Sequence, residues 1–218
     1  MVTAEVTISR AQLVRLTHPM EYVGIDWETY EEISEELGES SPLHVTYNKG
    51  TLTIMPVTEL HELLISLLDK FVTFSGMFLR VNVVPTGGAT MRSKMKLIGV
   101  EPDLSYFVSK ANIHRVKDYV ADELEMPPDI VVEIDVHHRS DNKFGIYSEL
   151  GIAEFWQYDA KTLRMFKLQD NGEYSQIERS EELPILTAAP LLKFLNRAED
   201  EEQFKLLTDF QNWLQTNK

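Results

Sequence analysis

Few folds can accept the segment Asp129-Ile130-Val131-Val132-Glu133-Ile134-Asp135. Its β-branched residues favour a strand, and side chains two apart on a strand share a face. Ile130, Val132 and Ile134 therefore fill one side, and Glu133 and Asp135 the other. A second short stretch, Glu101-Pro102-Asp103-Leu104-Ser105-Tyr106, repeats the feature, with Glu101 and Asp103 on one face of an apolar strand. If the two strands are neighbours, up to four carboxylates converge. Buried carboxylates need a partner, and like charges held close disfavour joint ionisation. A hard divalent cation such as Mg²⁺, which prefers oxygen ligands, resolves this. The same acids are equally satisfied by Arg or Lys partners or by water, and the pattern alone leaves both readings open. Asp129 and Glu133, four apart on one strand, lie about 13 Å apart and cannot chelate one ion.

The rest of the chain supplies an α/β frame. Residues 27–37 carry Tyr30, Ile33 and Leu37 at helical spacing, with a solvated acidic face. Residues 44–55 alternate on both sides of Asn48-Lys49-Gly50, a hairpin signal. Thr58 caps a helix striped by Leu60, Leu63, Leu64, Leu67, Leu68 and Phe71, with His61 and Glu62 at its start. Strands are expected at about 78–84, 89–97, 101–108 and 129–136. A polar loop with some helix is expected at 109–127. Ser140 opens a helix that Gly151 closes, with Lys143 and Tyr147 one turn apart. A strand at 154–158, a hairpin at 162–178 and one or two helices at 190–217 complete the pattern. Residues 1–20 resemble an irregular arm, and the acids 199–202 a solvated helix face. The expectation is one α/β (α+β) domain over 1–218: a central mixed β-sheet flanked by helices, with added hairpins and a C-terminal helical extension at 196–218.

Composition narrows the chemistry. With 218 residues, 43% of them hydrophobic, a sizeable core needs no covalent staple. The absence of cysteine removes thiolate zinc sites and cysteine nucleophiles and suits a reducing cytoplasm. No apolar run is long enough to cross a bilayer, and no signal peptide is evident. A formal net charge of -14 argues against a simple duplex-coating protein, though not against a localised site for nucleic acid. Arg92, Lys94 and Lys96 alternate within 89–97 and form the one concentrated basic stripe, facing either phosphates or solvent. His137 and His138, after the acidic strand, are either solvated or near the acids.

The ordered motifs Glu101-Pro102-Asp103, Pro127 to Asp135, Lys143-Phe144-Gly145-Ile146-Tyr147 and Leu150 to Asp159 resemble the Uma-two family of restriction endonucleases, within the PD-(D/E)XK nuclease superfamily. The Tyr47-to-Leu52 turn and the His61-Glu62 pair fit as well, so the resemblance runs from about 27 to 195. It implies a restriction-endonuclease-like fold and Mg²⁺ (or Mn²⁺)-dependent hydrolysis of DNA phosphodiester bonds. Asp103 and Glu133 would be the metal ligands, with Glu62 as an additional acid. Asp135, Glu101, His61 and Tyr147 are accessory candidates. One position departs from the superfamily pattern: the lysine expected two residues after the glutamate is Asp135. Lys143, on the next helix, is the natural substitute to position the attacking water. A homodimer fits nucleases that cut two strands in pairs. Two other functions remain open on the sequence: a non-catalytic module that binds nucleic acid or protein, and a structural oligomer-forming protein.

Overall fold

The acidic segment does form a strand, set inside the larger of two sheets. The computed structural model describes residues 18–38, 43–112, 124–135 and 143–217. Its elements, in chain order, are β1 (Met20–Val23), α1 (Trp27–Leu37), β2 (Leu43–Asn48), β3 (Thr51–Pro56), α2 (Glu59–Leu79), β4 (Val84–Pro85), β5 (Met91–Ser93) and β6 (Ile98–Val100). There follow β7 (Leu104–Phe107), β8 (Ile130–Ile134), α3 (Lys143–Leu150), β9 (Glu154–Tyr158), β10 (Leu163–Leu168), β11 (Tyr174–Ile177), α4 (Ala188–Leu195) and α5 (Gln203–Thr216).

The six-stranded sheet has the order β11-β10-β9-β8-β7-β4. Only β8 and β9 pair in parallel, which requires a crossover, and α3 lies within it. The five-stranded sheet, β1-β3-β2-β6-β5, is antiparallel throughout. This mixed α+β architecture is the expected one.

Local chemistry explains the boundaries. The Asp26 side chain accepts from Thr29 N and starts α1; Thr58 does the same for α2 through His61 N. Lys49 and Gly50 both have positive φ, 47° and 96°, the backbone that a tight two-residue hairpin requires. Gly151, at φ 76°, ends α3 as expected.

Three apolar clusters hold the layers. The largest joins one face of the six-stranded sheet (Leu104, Tyr106, Ile130, Val132, Ile134, Trp156) to Leu64, Leu68 and Phe71 of α2 and to α4 and α5. Phe210 of α5 stacks on Phe71 at 4.2 Å, so the C-terminal helix is part of this core. Trp156 and Tyr158 are packing residues in the same cluster. The second cluster seats α1 on the β2–β3 hairpin. The third covers the opposite sheet face, joining Val131 and Phe155 to Ile146 and Tyr147 of α3 and to Ile98 and Val100 of β6.

Three expectations need correction. No strand runs through 78–84, because the periodicity of α2 continues to Leu79 and only Val84–Pro85 pairs. The strand expected at 89–97 is a hairpin: β5 ends at Ser93, 94–97 is a turn closed by Leu97 N to Lys94 O, and β6 follows. Arg92, Lys94 and Lys96 are therefore not a stripe. Arg92 donates to Ser34 Oγ and lies over the Tyr30 ring, Lys94 is 3.8 Å from Glu31, and Lys96 donates to the Glu149 carbonyl. The acids 199–202 lie between α4 and α5 rather than on a helix face, and Glu201 pairs with Arg197 and Lys205. Residues 1–17, most of the loop expected at 109–127, His137, His138 and Ser140 lie outside the described residues.

Gly99 is a point of close contact between α1 and the five-stranded sheet. A Cβ there would sit 2.0 Å from the Tyr30 hydroxyl and 2.4 Å from its ring. Gly99→Ala should therefore cost about 1–3 kcal/mol in urea unfolding. A loss within a few tenths of a kcal/mol would mean that the ring does not rest there.

Candidate functional site

Antiparallel pairing sets Leu104 opposite Val132 and Ser105 opposite Val131. One further step places Asp103 opposite Glu133. Val131 belongs to the cluster on the α3 side, so Glu133 projects toward α3, while Asp103, opposite it, lies where the start of α2 and β2 also reach. A hydrogen bond from Ile134 N to Asp103 Oδ2, at 2.5 Å, ties the two segments. Both carboxylates are buried, Asp103 at 6% and Glu133 at 1% exposure.

α3 brings the cation. Lys143 is its first residue and is also buried. Its Nζ lies 2.8 Å from each Glu133 oxygen and 3.5 Å from the Glu101 carbonyl. Tyr147, four residues on and so on the same helix face, donates its hydroxyl to Glu133 Oε1.

Two histidines close on Asp103 from other elements. His44 of β2 places Nδ1 at 3.2 Å from Oδ1, and His61 of α2 places Nε2 at 3.1 Å from Oδ2. Their rings meet edge to face at 5.9 Å.

These contacts push the two acids apart. Burial, reinforced by the Asp103 charge, pushes Glu133 up to about 7 despite the Lys143 ammonium and the Tyr147 hydroxyl. Burial would raise Asp103 too, but hydrogen bonds from His44 and His61 outweigh it and hold the group below the ordinary range. Burial favours proton loss from Lys143, yet the Glu133 and Asp103 charges keep it protonated, above its usual value.

The remaining candidates are placed as follows. Glu62 is exposed, 3.8 Å from His61 Nδ1; the residue of that turn that touches Asp103 is His61. Glu101 accepts from Val45 N of β2 and from Thr90 Oγ1 just before β5, so its side chain is held by the five-stranded sheet. Asp135 is buried and accepts from Gln157 Nε2 at 2.7 Å. Asp129 accepts from Val108 N and Lys110 N and fixes the chain after β7. His44 escaped the sequence reading. Its only local mark is the polar phase of an alternating strand, and its partner comes from another sheet.

Among the described residues, no three His, Asp or Glu side chains form a ready-made ligand cluster. Two carboxylates nonetheless fit a hard divalent cation, since Mg²⁺ is usually held by one or two carboxylates and keeps several waters.

The ordered frame has a known counterpart. The profile of the Uma2 family, described as "Putative restriction endonuclease", matches residues 27–198. The chain belongs to the Uma2 family. A solved "putative nuclease belonging to DUF820" from Anabaena variabilis superposes with a TM-score of 0.51 at 16% identity, over 87% of this chain and 99% of that one. At that identity the likeness shows a shared fold, the restriction-endonuclease-like fold. The type IIG restriction endonuclease BpuSI gives a TM-score of 0.35 at 12% identity, over 72% of this chain and 16% of that one. Comparison with curated protein sequences gave no match. No helix among the described residues is long and apolar enough to cross a membrane.

The Glu133–Lys143 pair makes a stability prediction. Glu133 rises from an ordinary 4.5 to about 7 on folding. Between those values the folded protein keeps a proton that the unfolded chain has lost, so stability from this group is full at low pH and declines up to about pH 7. Lys143→Met leaves the carboxylate without its cation and should cost about 3–5 kcal/mol near pH 8. The deficit should shrink toward pH 5, where Glu133 is neutral. Urea unfolding across that range checks this; a pH-independent deficit contradicts the pairing.

Proposed function

We propose that this protein is a divalent-cation-dependent endonuclease that hydrolyses DNA phosphodiester bonds. The observation that carries the reading is the juxtaposition of Asp103 and Glu133 across β7 and β8, with the Lys143 ammonium on Glu133. Asp103 and Glu133 would hold Mg²⁺ or Mn²⁺. When bound, the ion would lower the pKa of a water and neutralise charge on the scissile phosphate.

The chain's own groups divide the remaining work. Lys143 would orient the attacking water and offset charge developing on the phosphate. To do so it must share Glu133 with the ion rather than span both oxygens. Tyr147, on the same helix, anchors Glu133 Oε1 and limits its rotation. Cutting both strands of a duplex in one event is served by two such centres, so a homodimer belongs to the same proposal. With no cysteine in the chain, we place the activity in a reducing cytoplasm.

A second reading is a nuclease-fold module without catalysis that binds nucleic acid or protein. It is favoured by the way Lys143 already satisfies both oxygens of Glu133. Nicking of supercoiled plasmid with Mg²⁺ or Mn²⁺ separates the two. Asp103→Ala and Glu133→Ala should each lower nicking by at least about 100-fold, beyond the roughly 10–100-fold typical of outer-shell losses. Wild-type protein that neither nicks DNA nor gains thermal stability from Mn²⁺ would leave the module reading. Nicking that survives Asp103→Ala would rule out this centre.

A further inference from the structure

Asp103 is held by more donors than its strand alone provides. Oδ2 accepts from Ile134 N and faces His61 Nε2 at 3.1 Å. Oδ1 faces His44 Nδ1 at 3.2 Å. The histidines come from α2 and β2, so two elements outside the acidic strands converge on one side chain.

The His61 ring also reveals its tautomer. Nδ1 is buried and has no hydrogen-bond partner. The nearest acceptor, the exposed Glu62 carboxylate, stands 3.8 Å from Nδ1, beyond hydrogen-bond distance, so a proton on Nδ1 would be an unpaired buried donor while Nε2 would lack a proton to give to Asp103. The tautomer with its proton on Nε2 donates it to Oδ2 and leaves at Nδ1 an unpaired acceptor rather than an unpaired donor. Oδ2 then accepts two donors, which uses the lone pairs of a carboxylate oxygen. Oδ1, with His44 alone, keeps a lone pair.

We propose that His61 and His44 are positioning residues that fix the Asp103 carboxylate so that it offers a divalent cation one oxygen, Oδ1. The proposal rests on the metal-centre reading above and adds which oxygen binds and what holds it. Neither imidazole need touch the ion. Partners that orient a ligating carboxylate in this way commonly change metal affinity 10–100-fold when removed. The side-chain amide of glutamine can bring an N–H to the place of an imidazole Nε2–H, so His61→Gln is the conservative replacement.

Two measurements on the full chain test this. The first is Mn²⁺ titration by calorimetry for wild type, His61→Ala, His61→Gln and His44→Ala. The expected result is about 10–100-fold weaker binding for His61→Ala, a smaller loss for His44→Ala, and recovery of most of the affinity in His61→Gln. Unchanged Mn²⁺ affinity in His61→Ala overturns the positioning role, as does a His61→Gln variant no better than His61→Ala. The second is long-range ¹H–¹⁵N NMR of the histidines of wild-type protein in chelator. It should show His61 as the Nε2–H tautomer, and an Nδ1–H tautomer overturns the hold on Oδ2. Wild-type protein that binds no Mn²⁺ while showing the Nε2–H tautomer keeps the hold on Asp103 and overturns the metal reading on which its purpose depends.

Discussion

Two carboxylates facing each other across paired strands, with one lysine between them and the helix above, form the constraint around which this protein is organised. Burial makes Asp103 and Glu133 expensive to ionise together, and the fold answers each differently. Glu133 is matched with Lys143 and Tyr147, both from α3. Asp103 is matched with His44, His61 and a backbone amide. Each answer needs a separate element. The parallel β8–β9 pair requires a crossover, and α3 within it brings its first residue over Glu133. The β2–β3 hairpin and the start of α2 must also meet near the start of β7. The two sheets and the helices around them are thus tied to the same few polar atoms.

The apolar clusters make this possible. Alternation along β8 gives Ile130, Val132 and Ile134 to the core shared with α2, α4 and α5. The other phase gives Val131 to the core shared with α3 and β6, and Glu133 to the site at the edge of that core. A shift of one residue in the β7–β8 register would turn Glu133 into the α2 core. Packing on both faces of the sheet therefore specifies where the acids point as firmly as their own hydrogen bonds do.

Much of this was legible in the residues, and the failures have physical reasons. Strict spacing of Tyr30, Ile33 and Leu37 located α1, Asn48-Lys49-Gly50 located the hairpin, and the β-branched run located β8 with its acids on one face. Lys143 was identified as the cation by the missing lysine at Asp135. The strand expected at 89–97 was misleading because polar and apolar residues go on alternating through a turn whose αL residue is Leu97, not glycine. The end of α2 was misjudged because its aromatic and β-branched residues suit a strand equally well. His44 was invisible because nothing near it in sequence says that β2 will reach Asp103. Glu62 was chosen over its neighbour by the family pattern, whereas the helix phase aims His61 inward and leaves Glu62 exposed.

The central claim is that Asp103 and Glu133 share a divalent cation. Anomalous diffraction from crystals soaked in Mn²⁺ addresses it without reference to substrate. The account predicts an anomalous peak about 2.0–2.2 Å from Asp103 Oδ1 and from one Glu133 oxygen, with Lys143 Nζ displaced to the other. Mn²⁺ found only among exposed acids, with Lys143 still spanning both oxygens of Glu133, would contradict it.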